Sequence, residues 1–234
     1  MPQHKNKKSA KYRILIAGAT GLIGSHALTK AIEHPEIAEI HAIVRRKPDI
    51  KSPKLHFIEK QYNDLQKSDI PTGLDQVLCC LGTTIAKAGS REKFREVDFS
   101  YIVKLAELSH AAGARSFQLI SSLGASATSG IFYSKIKGET EAAILQVGFE
   151  QTVIYRPSLL GGDRKEHRTG EKIMSSVLSN ISFLMVGPLA NYKIIQAETI
   201  ASVMLKVVTG TILLNGTLKI LESQEIEKLN LTES

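Results

Sequence analysis

The run Ile14-Leu15-Ile16-Ala17-Gly18-Ala19-Thr20-Gly21-Leu22-Ile23-Gly24-Ser25 constrains this chain more than any other stretch. Four apolar residues leading into glycines at every third position, followed by a helical pattern, have the form of a first strand, a tight turn and a first helix. Gly18 permits the sharp turn off the strand, Gly21 lets the backbone approach a pyrophosphate, and Gly24 lets the helix lie against the sheet. A helix opening near Leu22 aims its unpaired N–H groups and positive dipole end at the phosphates. The spacing is G-x-x-G-x-x-G rather than the commoner G-x-G-x-x-G, and glycines can also serve a turn alone. The early position of the strand, and a second strand at the expected distance, favour the nucleotide reading.

Strand and helix patterns then alternate. After the first helix (Leu22 to His34), Pro35 marks a break and Glu39 to Val44 reads as a second strand. A carboxylate at the end of that strand would hold the ribose 2′-hydroxyl of NAD, but the residues there are Val44-Arg45-Arg46-Lys47. A cationic cluster suits a 2′-phosphate, so NADP(H) is expected over NAD, with three solvated loop charges as the alternative. Leu55 to Ile58 is a third strand, with Asn63-Asp64-Leu65 placed to border an adenine pocket. Gln76 to Leu81 is a fourth, and Gly82 after it is where backbone and ligand come close. A helix from Phe94 to Ala112 is stopped by Gly113, and a fifth strand, Phe117 to Ile120, ends in Ser121-Ser122.

The next helix, Ile131 to Val147, carries Tyr133 and Lys137 one turn apart on one face. Alone, Y-x-x-x-K is usually an exposed amphipathic pair; placed after the fifth strand of a glycine-turn fold, it reads as chemistry. A phenol with a pKa near ~10 is a poor acid or base at neutral pH, and an adjacent ammonium favours its ionised form. In this reading Tyr133 exchanges a proton with a carbonyl or alcohol oxygen. Lys137 tunes the phenol and holds the nicotinamide ribose, and Ser122, with Ser121 as the close alternative, steadies the oxygen on which charge develops.

A sixth strand, Gln151 to Arg156, ends at Pro157. Beyond it lie charged loops, helical patterns at Lys172 to Ser179 and Thr199 to Val208, and a short apolar run at Leu218 to Leu221. The expected fold class is α/β: a Rossmann-type doubly wound parallel sheet with a small C-terminal lobe. Residues 1–11 form a basic disordered tail, residues 12–234 a single domain, and residues 161–234 a lobe for substrate or partner.

These residues resemble the short-chain dehydrogenase/reductase superfamily, in its extended or atypical form with the Gly18/Gly21/Gly24 spacing. The run Cys79-Cys80-Leu81-Gly82-Thr83-Thr84 with Lys87-Ala88-Gly89, Ser121-Ser122 with Gly124-Ala125, Lys137-Gly138-Glu139, Arg156-Pro157, and Asp163-Arg164 through Gly170-Glu171 narrow the likeness to the Tat-interacting-protein oxidoreductases. The resemblance spans approximately Tyr12 to Val208. It implies an NADP(H) site formed by Thr20, Gly21, Leu22 and Ile23, by Arg45 and Arg46, by Leu81 and Gly82, by Tyr133 and Lys137, and further by Leu160 and Arg168. The expected activity is hydride transfer to or from a carbonyl or alcohol substrate. The alternative is an NADP(H)-binding redox sensor without turnover, and a sugar-nucleotide epimerase or dehydratase ranks last because the chain is short for one.

Composition bounds the remaining classes. With 43% hydrophobic and 23% charged residues, the 234-residue chain is an ordinary globular one. Much of its net charge of +7 sits in the tail from His4 to Lys8 and at Lys11 and Arg13, read as a solvated arm rather than a nucleic-acid contact. The two cysteines, Cys79 and Cys80, are adjacent, and neighbours on a strand face opposite ways, so no disulfide is expected and a cytoplasmic setting follows. The sequence holds no apolar run of spanning length. No metal is expected, and a homodimer is left open.

Overall fold

The computed structural model describes residues 11–161 and 194–231. Its centre is a seven-stranded sheet built from β1 (Tyr12–Ala17), β2 (Ile37–Val44), β3 (Leu55–Glu59), β4 (Gln76–Cys79), β5 (Ser116–Ile120), β6 (Gln151–Arg156) and β9 (Leu218–Glu222). All strands are parallel, in the order β3-β2-β1-β4-β5-β6-β9. Leu160–Gly161 (β7) and Ile195–Gln196 (β8) pair separately. The strand order reverses beside β1, and the carboxyl ends of β1 and β4 open the crevice where ligands bind in such sheets.

A parallel sheet covered on both sides needs apolar residues on both faces of its central strands. Ile14, Leu15, Ile16 and Ala17 are all fully buried. Alternation sends Ile14 and Ile16 into one core layer and Leu15 and Ala17 into the other. Two helices cover the first layer: α1 (Leu22–Glu33), through Ile23, Ala27, Leu28 and Ala31, and α6 (Ala197–Val208), whose apolar residues run almost all round its surface. The final helix, α7 (Ser223–Asn230), adds Ile226. The second layer lies under α4 (Tyr101–Ala111) and α5 (Phe132–Val147).

Within the first layer runs a polar ladder. The Tyr155 hydroxyl donates to Gln118 Oε1 at 2.7 Å, and Gln118 Nε2 donates to Gln76 Oε1 at 2.6 Å and to the Met204 carbonyl at 3.2 Å. These side chains tie β4, β5 and β6 to α6, each buried polar atom answering another.

Two expectations change. The helix expected over Phe94 to Ala112 is three segments: α3 (Arg91–Arg95), after the short α2 (Ile85–Ala88), then a π-helical turn (Glu96–Ser100), then α4. The apolar run at Leu218 to Leu221 is the seventh strand, so residues 194–231 complete the sheet and its covering layer. Any lobe within residues 161–234 falls largely to residues 162–193, which, like the helix expected at Lys172 to Ser179 and the tail at residues 1–10, lie outside the described residues.

Candidate functional site

The glycine turn closes on itself. Gly18 adopts φ +77°, and Gly21, the cap of α1, donates its N–H to the Gly18 carbonyl at 2.9 Å. A Cβ on Gly24 would stand 2.1 Å from that same carbonyl oxygen, so only glycine lets α1 sit directly on the turn. Among the described residues no side chain caps α1, and no acid lies in its first turn. The N–H groups around Leu22 and Ile23 could hold an anion, with Thr20 exposed beside them.

Beside the turn, Val44 ends β2 and Arg45, Arg46 and Lys47 follow it, all three exposed. Tyr62, a residue with no local signal in sequence, meets the first glycine of the turn. It is 7% exposed, accepts the Gly18 N–H at 3.0 Å, and stacks on Tyr101 with ring centroids 5.7 Å apart. Across the crevice, Leu81 is buried and Gly82 exposed at the end of β4.

Next to Gly82 lies a buried ion pair. Lys137 Nζ is 2.7 Å from Asp98 Oδ1, with the two side chains 6% and 0% exposed. Asp98 Oδ2 accepts the Thr83 N–H at 2.9 Å, so the carboxylate also pins the loop after β4. A Cβ on Gly82 would face both Asp98 Oδ1 and Lys137 Nζ at ordinary contact distance. Burial alone would push the Lys137 ammonium down; the Asp98 carboxylate outweighs it, and the Tyr133 phenol adds to the effect, holding the ammonium above the usual lysine range. Asp98 is in the π-helical turn, whose extra residue re-aims the side chains of one turn, a device common at functional sites.

Tyr133 is one turn before Lys137, half-buried, its ring 5.4 Å from that of Phe94. The two serines differ. Ser121 is buried and its hydroxyl donates to Glu141 Oε1 at 2.5 Å, while Glu141 also takes both Arg156 Nε (3.0 Å) and Nη2 (2.5 Å). Ser122 is half-buried, and among the described residues its hydroxyl reaches only the Leu123 carbonyl, at 3.4 Å. The small-residue loop before α5 is docked on it: Ser126 N–H donates to the Ser134 carbonyl at 3.0 Å, and a Cβ on Gly138 would strike Ser126 and Ala127 backbone at 2.2 Å.

Of the other expected contacts, Leu160 lies in β7, 42% exposed, and Arg168 falls outside the described residues. Both cysteines are free, and burial pushes the Cys79 thiol up to about 12, so it is inert at neutral pH. Among the described residues no group of three or more His, Cys, Asp or Glu could hold a metal ion, and no helix is long and apolar enough to cross a membrane.

A doubly wound sheet with an uncapped helix at its switch point defines a class, the dinucleotide-binding α/β proteins. The chain belongs to the NAD dependent epimerase/dehydratase family, whose sequence profile matches residues 14–219. It is 39% identical over 169 residues to "Protein FMP52, mitochondrial" of Candida albicans, covering 69% of this chain and 73% of that one. It is 36% identical over 162 residues to "Protein HTATIP2" of Rattus norvegicus, covering 68% and 66%. The fold matches MoeE5 in complex with UDP-glucose and NAD (TM-score 0.67, 16% identity, 93% of this chain and 80% of that one). It also matches a short-chain dehydrogenase/reductase from Agrobacterium tumefaciens with bound NAD (TM-score 0.63, 16% identity, 83% and 73%). The relatives from four fungi are named mitochondrial, which overturns the cytoplasmic expectation. Two adjacent cysteines that cannot bond to each other do not single out the cytoplasm.

Proposed function

We propose that the chain is an NADP(H)-dependent oxidoreductase that moves a hydride to or from a carbonyl or alcohol carbon. The observation that carries this is the placement of a buried, charged Lys137 beside Gly82, one helical turn from Tyr133, across the crevice from the glycine turn. The cradle suits a diphosphate because the N–H groups that open α1 have no side-chain cap among the described residues, and Gly24 lets that helix sit close on the turn.

When bound, the nicotinamide supplies or accepts the hydride. The N–H groups at Leu22 and Ile23 would hold the diphosphate, and Arg45 and Arg46 would hold the 2′-phosphate. Lys137 would hold the nicotinamide ribose, its ammonium kept charged by Asp98. Tyr133 gives its phenolic proton to the carbonyl oxygen in reduction, or takes the alcohol proton in oxidation. Ser122 donates a hydrogen bond to that oxygen; among the described residues its hydroxyl has no strong partner, whereas Glu141 already holds that of Ser121.

Calorimetric titration with NADPH and NADH tests the reading. The expected result is a strong preference for NADPH that Arg45→Ala abolishes. Equal affinities, or a preference that Arg45→Ala leaves intact, overturn the NADP(H) assignment. With a substrate found by carbonyl-reduction screening, Tyr133→Phe should lose about 10²-fold or more in turnover while still binding NADPH; full turnover would refute the proton relay.

A further inference from the structure

The ladder between β1 and β2 ends at the pair Ala17 and Ile43, where Gly18 turns the chain away with φ +77°. The gap left by that departure is filled by a side chain. The Tyr62 hydroxyl accepts the Gly18 N–H at 3.0 Å and donates to the Ile43 carbonyl at 3.4 Å, continuing the ladder by one rung through a phenol. Tyr62 comes from the 3-10 turn Tyr62–Asp64 after β3, so three separate segments meet at one hydroxyl.

The position of this rung gives it a consequence for the ligand. One end holds the first glycine of the phosphate turn; the other holds Ile43, two residues before Arg45. Arg45 directly follows Val44, the last residue of β2, so the strand held at Ile43 leads straight into the cationic cluster. Tyr62 thus ties the first glycine of the phosphate turn to the strand that leads into the arginine cluster.

We propose that Tyr62 is a positioning residue for cofactor choice: its hydroxyl, bridging Gly18 and Ile43, fixes the distance between the diphosphate cradle and the cationic cluster that takes the 2′-phosphate. This rests on the NADP(H) reading above and deepens it. In this role it acts through the Gly18 N–H and the Ile43 carbonyl, two residues before Arg45.

The test compares wild type with Tyr62→Phe, which keeps the ring and its stack on Tyr101 and removes only the bridge. Affinities for NADPH and NADH are measured by nicotinamide fluorescence, with thermal unfolding alongside. The expected result is an NADPH affinity about tenfold weaker, a loss of the order expected for one hydrogen-bonded bridge, with NADH affected less, so that the preference ratio falls. A role confined to packing would lower the unfolding midpoint, or both affinities together, and leave the ratio unchanged; that outcome overturns the proposal alone. A wild type that binds both nucleotides equally overturns the NADP(H) reading, and this proposal with it. Should Tyr62→Phe not fold, Tyr101→Leu decides in the same way, because it removes the ring that holds Tyr62 in line; an unchanged ratio there also refutes the proposal.

Discussion

At the scale of single residues the chain's most consequential feature is the pair Asp98 and Lys137, because a buried charge without a partner is costly. Asp98→Asn should destabilise the protein by about 3–5 kcal/mol near neutral pH, the range for breaking a buried pair. The pH dependence identifies the cause. In the wild type the folded-state pKa of Lys137 is raised, so its stabilisation is present below the unfolded lysine value near ~10.4 and lost as pH rises through the folded value. In Asp98→Asn burial dominates, the folded value falls below the unfolded one, and stability is regained as pH rises. The difference in unfolding midpoint between the two proteins should therefore narrow from pH 7 to pH 10. A gap independent of pH would mean that the carboxylate acts by packing alone.

His41 works at the other end of the scale. Burial lowers its pKa, partly offset by Glu39, whose carboxylate lies 2.8 Å away and which also pairs with Arg13; the His56 ring stacks on it at 5.3 Å. The folded state thus binds this proton less readily than the unfolded one, and stability falls as pH drops below about 6.5. His41→Gln should flatten the unfolding midpoint between pH 7 and pH 5, before Glu39 itself titrates. Neither Asp98 nor Tyr62 was legible in the sequence, for one physical reason: each acts through partners far along the chain, and the apolar spacing from Phe94 to Ala112 runs unbroken through the π turn that aims Asp98. Tyr133, Lys137 and the glycines were legible because their geometry is local.

At the scale of elements, strand order is secured by polar as well as apolar contacts. Tyr155→Phe removes the donor to Gln118 Oε1 and leaves a buried acceptor without its partner, at a cost of about 1–3 kcal/mol. Gln118→Met removes the centre of the ladder, leaving Gln76 Oε1 and the Tyr155 hydroxyl unanswered, and should cost more than Tyr155→Phe in chemical denaturation. Equal losses would show that Tyr155 carries the ladder's whole effect. The seventh strand was not assigned from sequence because Leu218 to Leu221 is short and its pairing partner, β6, precedes it by more than sixty positions. Residues in an apolar run announce burial, not the neighbour that buries them.

At the scale of the molecule the question is whether the C-terminal region is accessory or integral. Leu221 and Ile226 are both fully buried and belong to the same core layer as Ile14, Val153 and Met204. The Lys206 ammonium on α6 donates to the Asn230 carbonyl at the end of α7, tying the last helix to the layer that covers the sheet. Ending the chain after Gly216 would strip β9 from β6 and α7 from α6. Losing Leu221 and Ile226 alone forfeits about 1.5–3 kcal/mol each, a large share of a typical stability of about 5–15 kcal/mol. An accessory lobe would leave the remaining sheet with its own sharp melting transition. The integral arrangement requires that the truncated chain lose cooperative unfolding by circular dichroism and bind a hydrophobic dye. Because β6 also carries Arg156, which clamps Glu141 on the helix of Tyr133 and Lys137, a truncated chain that stayed soluble should bind NADPH more weakly although it lacks no residue of the crevice.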